Sequence, residues 1–341
     1  MNMQRRINLT IIWSALLVFV MGMGTPLVSA ATPTTTGTNT ANNGQALEIA
    51  PPVLYLTVNP GQTVNTQIFI RDVSSGPLLV KGQANDFVAS GQDGTPKILL
   101  DNSTNVNDPY SLKGWVSPPS SLLLVPKQIK SMNITIQVPA NASPGGHYGV
   151  IRFTATAPSV SGSGVSLAAS LGSLLLLTVT GNIQENLQVQ QFSVNHSGST
   201  GKVFESGPLN FVEVLKNTGN VHVQPAGQVI ITDTFGKKIG ALNVNVPPGN
   251  VLPQSSRKFT QSLDKTVIGN RLLFGRYKAN LHIVYGSSKK VLTASLTFWI
   301  IPFKLIGGII IVLVGAFFIL RYAIRRYNRY VLEQSQKNRR Q

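Results

Sequence analysis

Four carboxylates fall close together in the chain: Asp86, Asp93, Asp101 and Asp108. A glycosidase needs two such groups facing one sugar, one as acid and one as base or nucleophile. Nothing in their spacing brings a pair together. Asp101-Asn102-Ser103-Thr104-Asn105, followed by Asp108, has the oxygen density of a calcium loop, but the turn glycine and the twelfth-position glutamate are missing. The four histidines, His147, His196, His222 and His282, lie far apart. His147 precedes an expected strand, and His222 and His282 lie in expected strands, so they read as surface or core residues rather than as ligands. There is no G-x-S-x-G elbow, H-E-x-x-H helix or P-loop. The sequence therefore points to no catalytic residue, metal or cofactor, and the expectation is a protein that is not an enzyme.

Binding chemistry is easier to place. The flat rings of Trp115 and Tyr110 suit the face of a pyranose, and Asp86 could accept hydrogen bonds from its hydroxyls. These three are the ligand-binding candidates. A tryptophan on a sandwich strand is commonly core, which is the competing reading of Trp115. Asn133-Ile134-Thr135 fits a glycosylation sequon.

The two ends set the topology. Arg5 and Arg6 precede the apolar run Ile7 to Val20, and Gly22, Gly24 and Val28-Ser29-Ala30 follow. That order is a signal peptide over residues 1–30, with cleavage between Ala30 and Ala31. Near the other end, Pro302 to Leu320 is almost continuously apolar. As a helix this run would span roughly 28 Å, close to the thickness of the hydrocarbon core. Arg321, Arg325, Arg326 and Arg329 follow at once, and basic residues just past a span stay on the cytoplasmic side. The tail, residues 321–341, carries seven Lys/Arg and one Glu. The expected location is the cell membrane, crossed once, with the ectodomain outside.

Composition narrows the class. The 341 residues include no cysteine, so no disulfide staples the exported part and each domain must fold on its own apolar core. This suggests a bacterium with a single membrane. The net charge is +17, but an exported chain does not meet nucleic acid. Residues 46–182 hold seven Lys/Arg and six Asp/Glu, whereas residues 183–298 hold twelve and five. The basicity of the second segment favours an anionic wall polymer or lipid headgroups.

Residues 31–45 are rich in Thr, Asn and Gly and read as a linker. From there short apolar runs recur between turn clusters. Val64, Thr66, Ile68 and Ile70 alternate with Asn65, Gln67 and Phe69, the period of a half-buried strand. Strands are expected at 53–58, 64–70, 78–84, 98–100, 122–125, 132–138, 148–157 and 174–180, the last of them central. A second set is expected at 187–194, 209–216, 221–224, 228–233, 241–246, 257–263, 277–285 and 291–301. Pro158–Ser170 reads as a flexible loop. The fold class is all-β: two tandem immunoglobulin-like sandwiches, 46–182 and 183–301, an N-terminal signal peptide and one C-terminal transmembrane helix over 302–320.

The two sandwiches read as diverged copies. Arg71-Asp72-Val73-Ser74 through Gly82 matches Lys216-Asn217-Thr218-Gly219 through Gly227. Pro144-Gly145-Gly146-His147-Tyr148 is echoed by Phe274-Gly275-Arg276-Tyr277. The offset shrinks between these matches, so the first copy holds extra residues, expected within Asn85–Lys113. Inserted loops on a sandwich commonly carry function.

In order along the chain come Asn59-Pro60-Gly61-Gln62, Asp86-Phe87, Trp115-Val116, Val138-Pro139, Pro144-Gly145-Gly146-His147-Tyr148-Gly149 and Asn217-Thr218-Gly219-Asn220. Together, over about residues 46–325, they resemble the WxL-interacting proteins of Gram-positive bacteria. That resemblance implies a signal peptide, two immunoglobulin-like domains, one C-terminal helix and a basic tail. It implies that the first domain binds peptidoglycan and that the second meets a host-surface ligand or a partner protein. This chain departs from the family in its near-neutral first domain and strongly basic second one. No ligand-contacting residue carries over, because the shared motifs are turns and core positions.

The expected function is a non-catalytic, membrane-anchored surface protein whose first domain binds cell-wall glycan or a surface partner. One alternative is an assembly module that pairs with another surface protein through a sheet edge. The remaining alternative, a wall-modifying enzyme, would use Asp86.

Overall fold

The structure is a computed structural model that describes residues 47–100, 108–117, 119–156, 169–269 and 271–338. The expected signal peptide with its Ala30/Ala31 junction, the expected 31–45 linker, Asp101 and most of Pro158–Ser170 lie outside those residues.

The first sandwich contains β1 (Leu47–Ala50), β2 (Val53–Val58), β3 (Thr63–Asp72), β4 (Leu78–Ser90), β5 (Thr95–Leu99), β6 (Val116–Ser117), β7 (Leu122–Leu124), β8 (Ile129–Gln137), β9 (Gly145–Thr156) and β10 (Ala169–Val179). One sheet has the order β1-β3-β8-β6; the other runs β2-β10-β9-β4-β5, with β7 also on β4. Period-two alternation sets the register. Ile68 and Ile70 of β3, with Ile134 and Ile136 of β8, meet Ile151, Phe153, Leu175 and Leu177 of the facing sheet. Leu175, Leu176 and Leu177 are all buried, as a central strand covered on both faces requires.

The second sandwich repeats this plan. It contains β11 (Leu187–His196), β12 (Ser199–Thr200), β13 (Val203–Phe204), β14 (Leu209–Asn217), β15 (Ala226–Asp233), β16 (Lys238–Val244), β17 (Ser256–Leu263), β18 (Gly275–Tyr285) and β19 (Lys290–Ile300). Its sheets are β12-β11-β14-β17 and β13-β19-β18-β15-β16. In each sandwich the last long strand pairs in parallel with a strand near the beginning: β10 with β2, and β19 with β13. Seven strands correspond in order, β1, β3, β8, β2, β10, β9 and β4 with β11, β14, β17, β13, β19, β18 and β15, while β6 and β12 have no counterpart. The copies differ at the edge beside β4. In the second sandwich β16 alone covers β15. In the first, β5 covers only Asp86–Ser90 of β4 and β7 covers Leu78–Val80. The insertion expected within Asn85–Lys113 includes β5 and residues 101–107, and the latter lie outside the described residues.

Two expectations change. Val221–Gln224 is not a strand; it is a loop with one bridge, Val223 to Val251. The buried Asn217 side chain takes its place, donating to the carbonyls of Val221 and Val251 at 2.8 and 2.9 Å. The expected helix boundary at Leu320 also moves. The C-terminal helix runs from Phe303 to Asn338, through all four arginines, because no glycine or proline interrupts the tail. Its Phe303–Tyr330 stretch is long and apolar enough to cross a membrane, and its apolar window is wholly uncovered by protein. The helix start is tied to the second sandwich. Ile301 N–H donates to the Phe204 carbonyl at 2.8 Å, and Lys304 pairs with Glu205 at 3.2 Å.

Candidate functional site

The outer face of the β2-β10-β9-β4-β5 sheet is apolar where it approaches the second sandwich. Phe87 of β4, Tyr148 and Val150 of β9, and Leu176 of β10 form a buried cluster there, with Val53, Leu174, Ile98, Tyr110 and Leu252 packed against it. Leu252 belongs to the second sandwich, so this small core joins the two domains.

Polar contacts fix the junction further. The Tyr148 hydroxyl accepts from the His222 N–H at 2.8 Å and lies 3.3 Å from His222 Nδ1. Burial pushes the His222 pKa down to about 4 and raises that of Tyr148, so both stay neutral. Asn220 donates to the carbonyls of Pro144 and Asn182 and accepts from Gln184 N–H. The tip of the β4–β5 hairpin reaches across as well: Lys258 N–H, on edge strand β17, donates to the Gln92 carbonyl at 2.7 Å. The Arg257 guanidinium passes between Gly94 and Gly249, so close that a methyl group on either would collide with it.

Beside this junction lies a cleft of about 240 Å³. Val53, Tyr55, Leu174 and Leu176 line one side, and Pro248, Asn250 and Arg257 line the other. Tyr55 is 53% exposed, and Asn250 Nδ2 donates to its hydroxyl at 2.8 Å. Asn250 Oδ1 is buried without a partner among the described residues. The cleft thus offers a flat ring, an apolar floor and one guanidinium, which donates to the Asn250 carbonyl at 2.9 Å. That mixture suits a molecule with an apolar face and a few hydroxyl or amide groups.

The three candidates from the sequence do not converge on one groove. Asp86 is buried and spent on structure: it accepts from Ser111 Oγ at 2.6 Å, Leu112 N–H at 2.9 Å and Lys113 N–H at 2.8 Å. It therefore pins the returning limb of the insertion to β4. Trp115 is half-buried and stacks near His147, ring centroids 4.3 Å apart, while Tyr110 packs near Tyr148 at 6.4 Å. His147 and Tyr148 are consecutive in β9 and point to opposite faces. The two rings are thus divided between the inside of the sandwich and its outer face. His147 loses basicity through burial, and its Nε2 lies 3.0 Å from the Ser143 carbonyl. Sequence reasoning missed Tyr55, Asn250 and Arg257. The available signal for Tyr55 was an aromatic ring at an outward position of an otherwise ordinary strand.

No family model and no curated protein matches the sequence. Solved structures resemble it in fold. The class 5 fimbriae chaperone CfaA is 11% identical, with a TM-score of 0.36 over 74% of this chain and 98% of that one. The E. coli chaperone DraB is 13% identical, with a TM-score of 0.33 over 74% of this chain and 96% of that one. A Porphyromonas gingivalis W83 protein of unknown function is 11% identical, with a TM-score of 0.28 over 75% and 100%. The likeness is one of fold alone and carries no argument about function.

Proposed function

We propose that this protein is a non-catalytic bacterial surface protein that binds cell-wall peptidoglycan on the outer face of its first sandwich, in the cleft shared with the second. It is held by its C-terminal helix, with both sandwiches outside and the arginine-rich end inside. The observation that carries the binding reading is the cleft over the outer face of β2 and β10, where the exposed Tyr55 ring stands beside Asn250 and Arg257. A near-neutral first sandwich fits a ligand gripped by ring stacking and hydrogen bonds rather than by charge. The motif order resembling WxL-interacting proteins supports the same assignment. The orientation is supported by Arg321, Arg325, Arg326 and Arg329 at one end of the apolar stretch. Protease added to intact cells should remove the sandwiches and spare the chain beyond residue 321.

Retention of the full chain, in detergent, on purified peptidoglycan tests the binding. Tyr55→Ala should lower retention about tenfold, equivalent to ~1.4 kcal/mol, with the fold retained because the ring is half exposed. No retention of the parent protein at moderate salt would overturn the assignment.

A further inference from the structure

The end of the second sandwich from which the C-terminal helix departs carries large apolar side chains that face outward. Phe235, in the turn between β15 and β16, is 95% exposed. Leu272 and Phe274, just before β18, are 71% and 63% exposed, and Trp299 of β19 is 44% exposed. Strand register gathers them. Trp299 faces Arg276 across the β18–β19 pair. Asp233 faces Tyr277, and Thr234 Oγ1 donates to the Arg276 carbonyl at 2.9 Å. The Phe235 turn therefore lies beside the start of β18, next to Phe274.

Cations surround the same end. Lys237, Lys238 and Arg276 are exposed, and Lys202 accepts at its carbonyl from Trp299 N–H at 2.7 Å. Aromatic rings among lysines and arginines are the side chains that settle in a headgroup layer, where the rings find a partly apolar medium and the cations find phosphates. The chain also dictates what this end meets. β19 finishes at Ile300 and the helix starts at Phe303, so two residues separate the sandwich from the apolar helix. Lys304 and Glu205 brace the joint.

We propose that this end of the second sandwich seats on the surface of an anionic bilayer. Phe235, Leu272, Phe274 and Trp299 enter the headgroup layer, and the flanking lysines and Arg276 bind lipid phosphates. The seating rests on the helix spanning that bilayer.

The chain has no cysteine, which permits a direct test. Phe235→Cys, Phe274→Cys and, as the control, Ser288→Cys are each made in the full chain and labelled with a polarity-sensitive fluorophore. Ser288 lies in the β18–β19 turn, at the opposite end of the same sandwich. The proteins are reconstituted in nanodiscs of phosphatidylglycerol or phosphatidylcholine. In phosphatidylglycerol, labels at 235 and 274 should shift to the blue and be quenched by brominated lipid at least about threefold more than the label at 288. Lys237→Glu with Lys238→Glu and Arg276→Glu should reduce that difference by about half or more. Failure to co-elute with nanodiscs would overturn the anchor and the seating together. Co-elution with equal emission at 235, 274 and 288 would overturn the seating alone. Equal quenching in phosphatidylcholine would overturn the anionic partner.

Discussion

Glu213 is an acid inside a β-sandwich. It lies on β14 at zero exposure, at the step before Asn217 where Ile68 stands before Asp72 in the other copy. Burial raises its pKa to about 8, against a lowering by its hydrogen bond to Gln261; the Gln261 amide, turned to donate, lies 2.6 Å from its carboxylate. Since the folded state holds this proton more tightly than the unfolded state, stability is greatest below the ordinary carboxyl range and falls as pH rises toward 8. His222 acts in the opposite sense. Its pKa is depressed to about 4 from 6.5, so stability falls as pH drops below 6.5. The Glu213 effect stands clear of His222 between pH 6.5 and 8. There the unfolding free energy should decline with pH by up to about 1.4 kcal/mol per unit, lowering the melting temperature. Glu213→Gln should flatten that decline in thermal melts, and an unchanged slope would remove Glu213 as its cause. Asp86 shows the limit of reading single residues. The carboxylate was visible in the sequence, but the two amides and the hydroxyl that occupy it come from the far side of the insertion.

At the level of elements, strands were legible where burial follows period two, as in β3 and β18. Val221–Gln224 looked like a strand because valines alternate there. What determines its conformation is one side chain, Asn217, which satisfies carbonyls that a neighbouring strand would otherwise pair. The adjacent segment is packed to its limit. Thr218 N–H donates to the Asn186 carbonyl and Asn220 N–H to the Gln184 carbonyl, at 2.9 and 3.0 Å. A methyl group on Gly219 would sit 2.0 Å from the Gln184 oxygen. Gly219→Ala should therefore cost about 1–3 kcal/mol through overpacking, measured by denaturant unfolding. A neutral result would show that the backbone at Gln184 can yield. The helix boundary escaped the sequence for a different reason: hydropathy ends at Leu320, but the backbone has no cause to stop there.

For the whole molecule, the duplication could be read from matched motifs, and the strand orders repeat it. The junction could not be read, because its contacts join residues remote in the chain: Tyr55 with Asn250, Tyr148 with His222, Gln92 with Lys258. No local pattern announces such pairs. Removing the Tyr148 hydroxyl tests whether they hold the two sandwiches at one angle. Tyr148→Phe leaves His222 N–H unpaired at a cost of about 1–3 kcal/mol and should broaden the inter-domain distance distribution, measured by spin labels on paired cysteines in this cysteine-free chain. An unaltered distribution would mean that the remaining junction contacts, Leu252, Asn220 and Lys258 among them, set the angle.

The absence of slack between Ile300 and Phe303 has a consequence for reach. β19 has 11 residues, which at about 3.3 Å each is roughly 36 Å of strand. In the arrangement proposed above, a recognition surface carried one sandwich-length up on a stiff post would not search the thickness of a wall. It would engage only material that descends to within a few nanometres of the lipid, so its catch would be set by where the protein stands rather than by how far it can stretch.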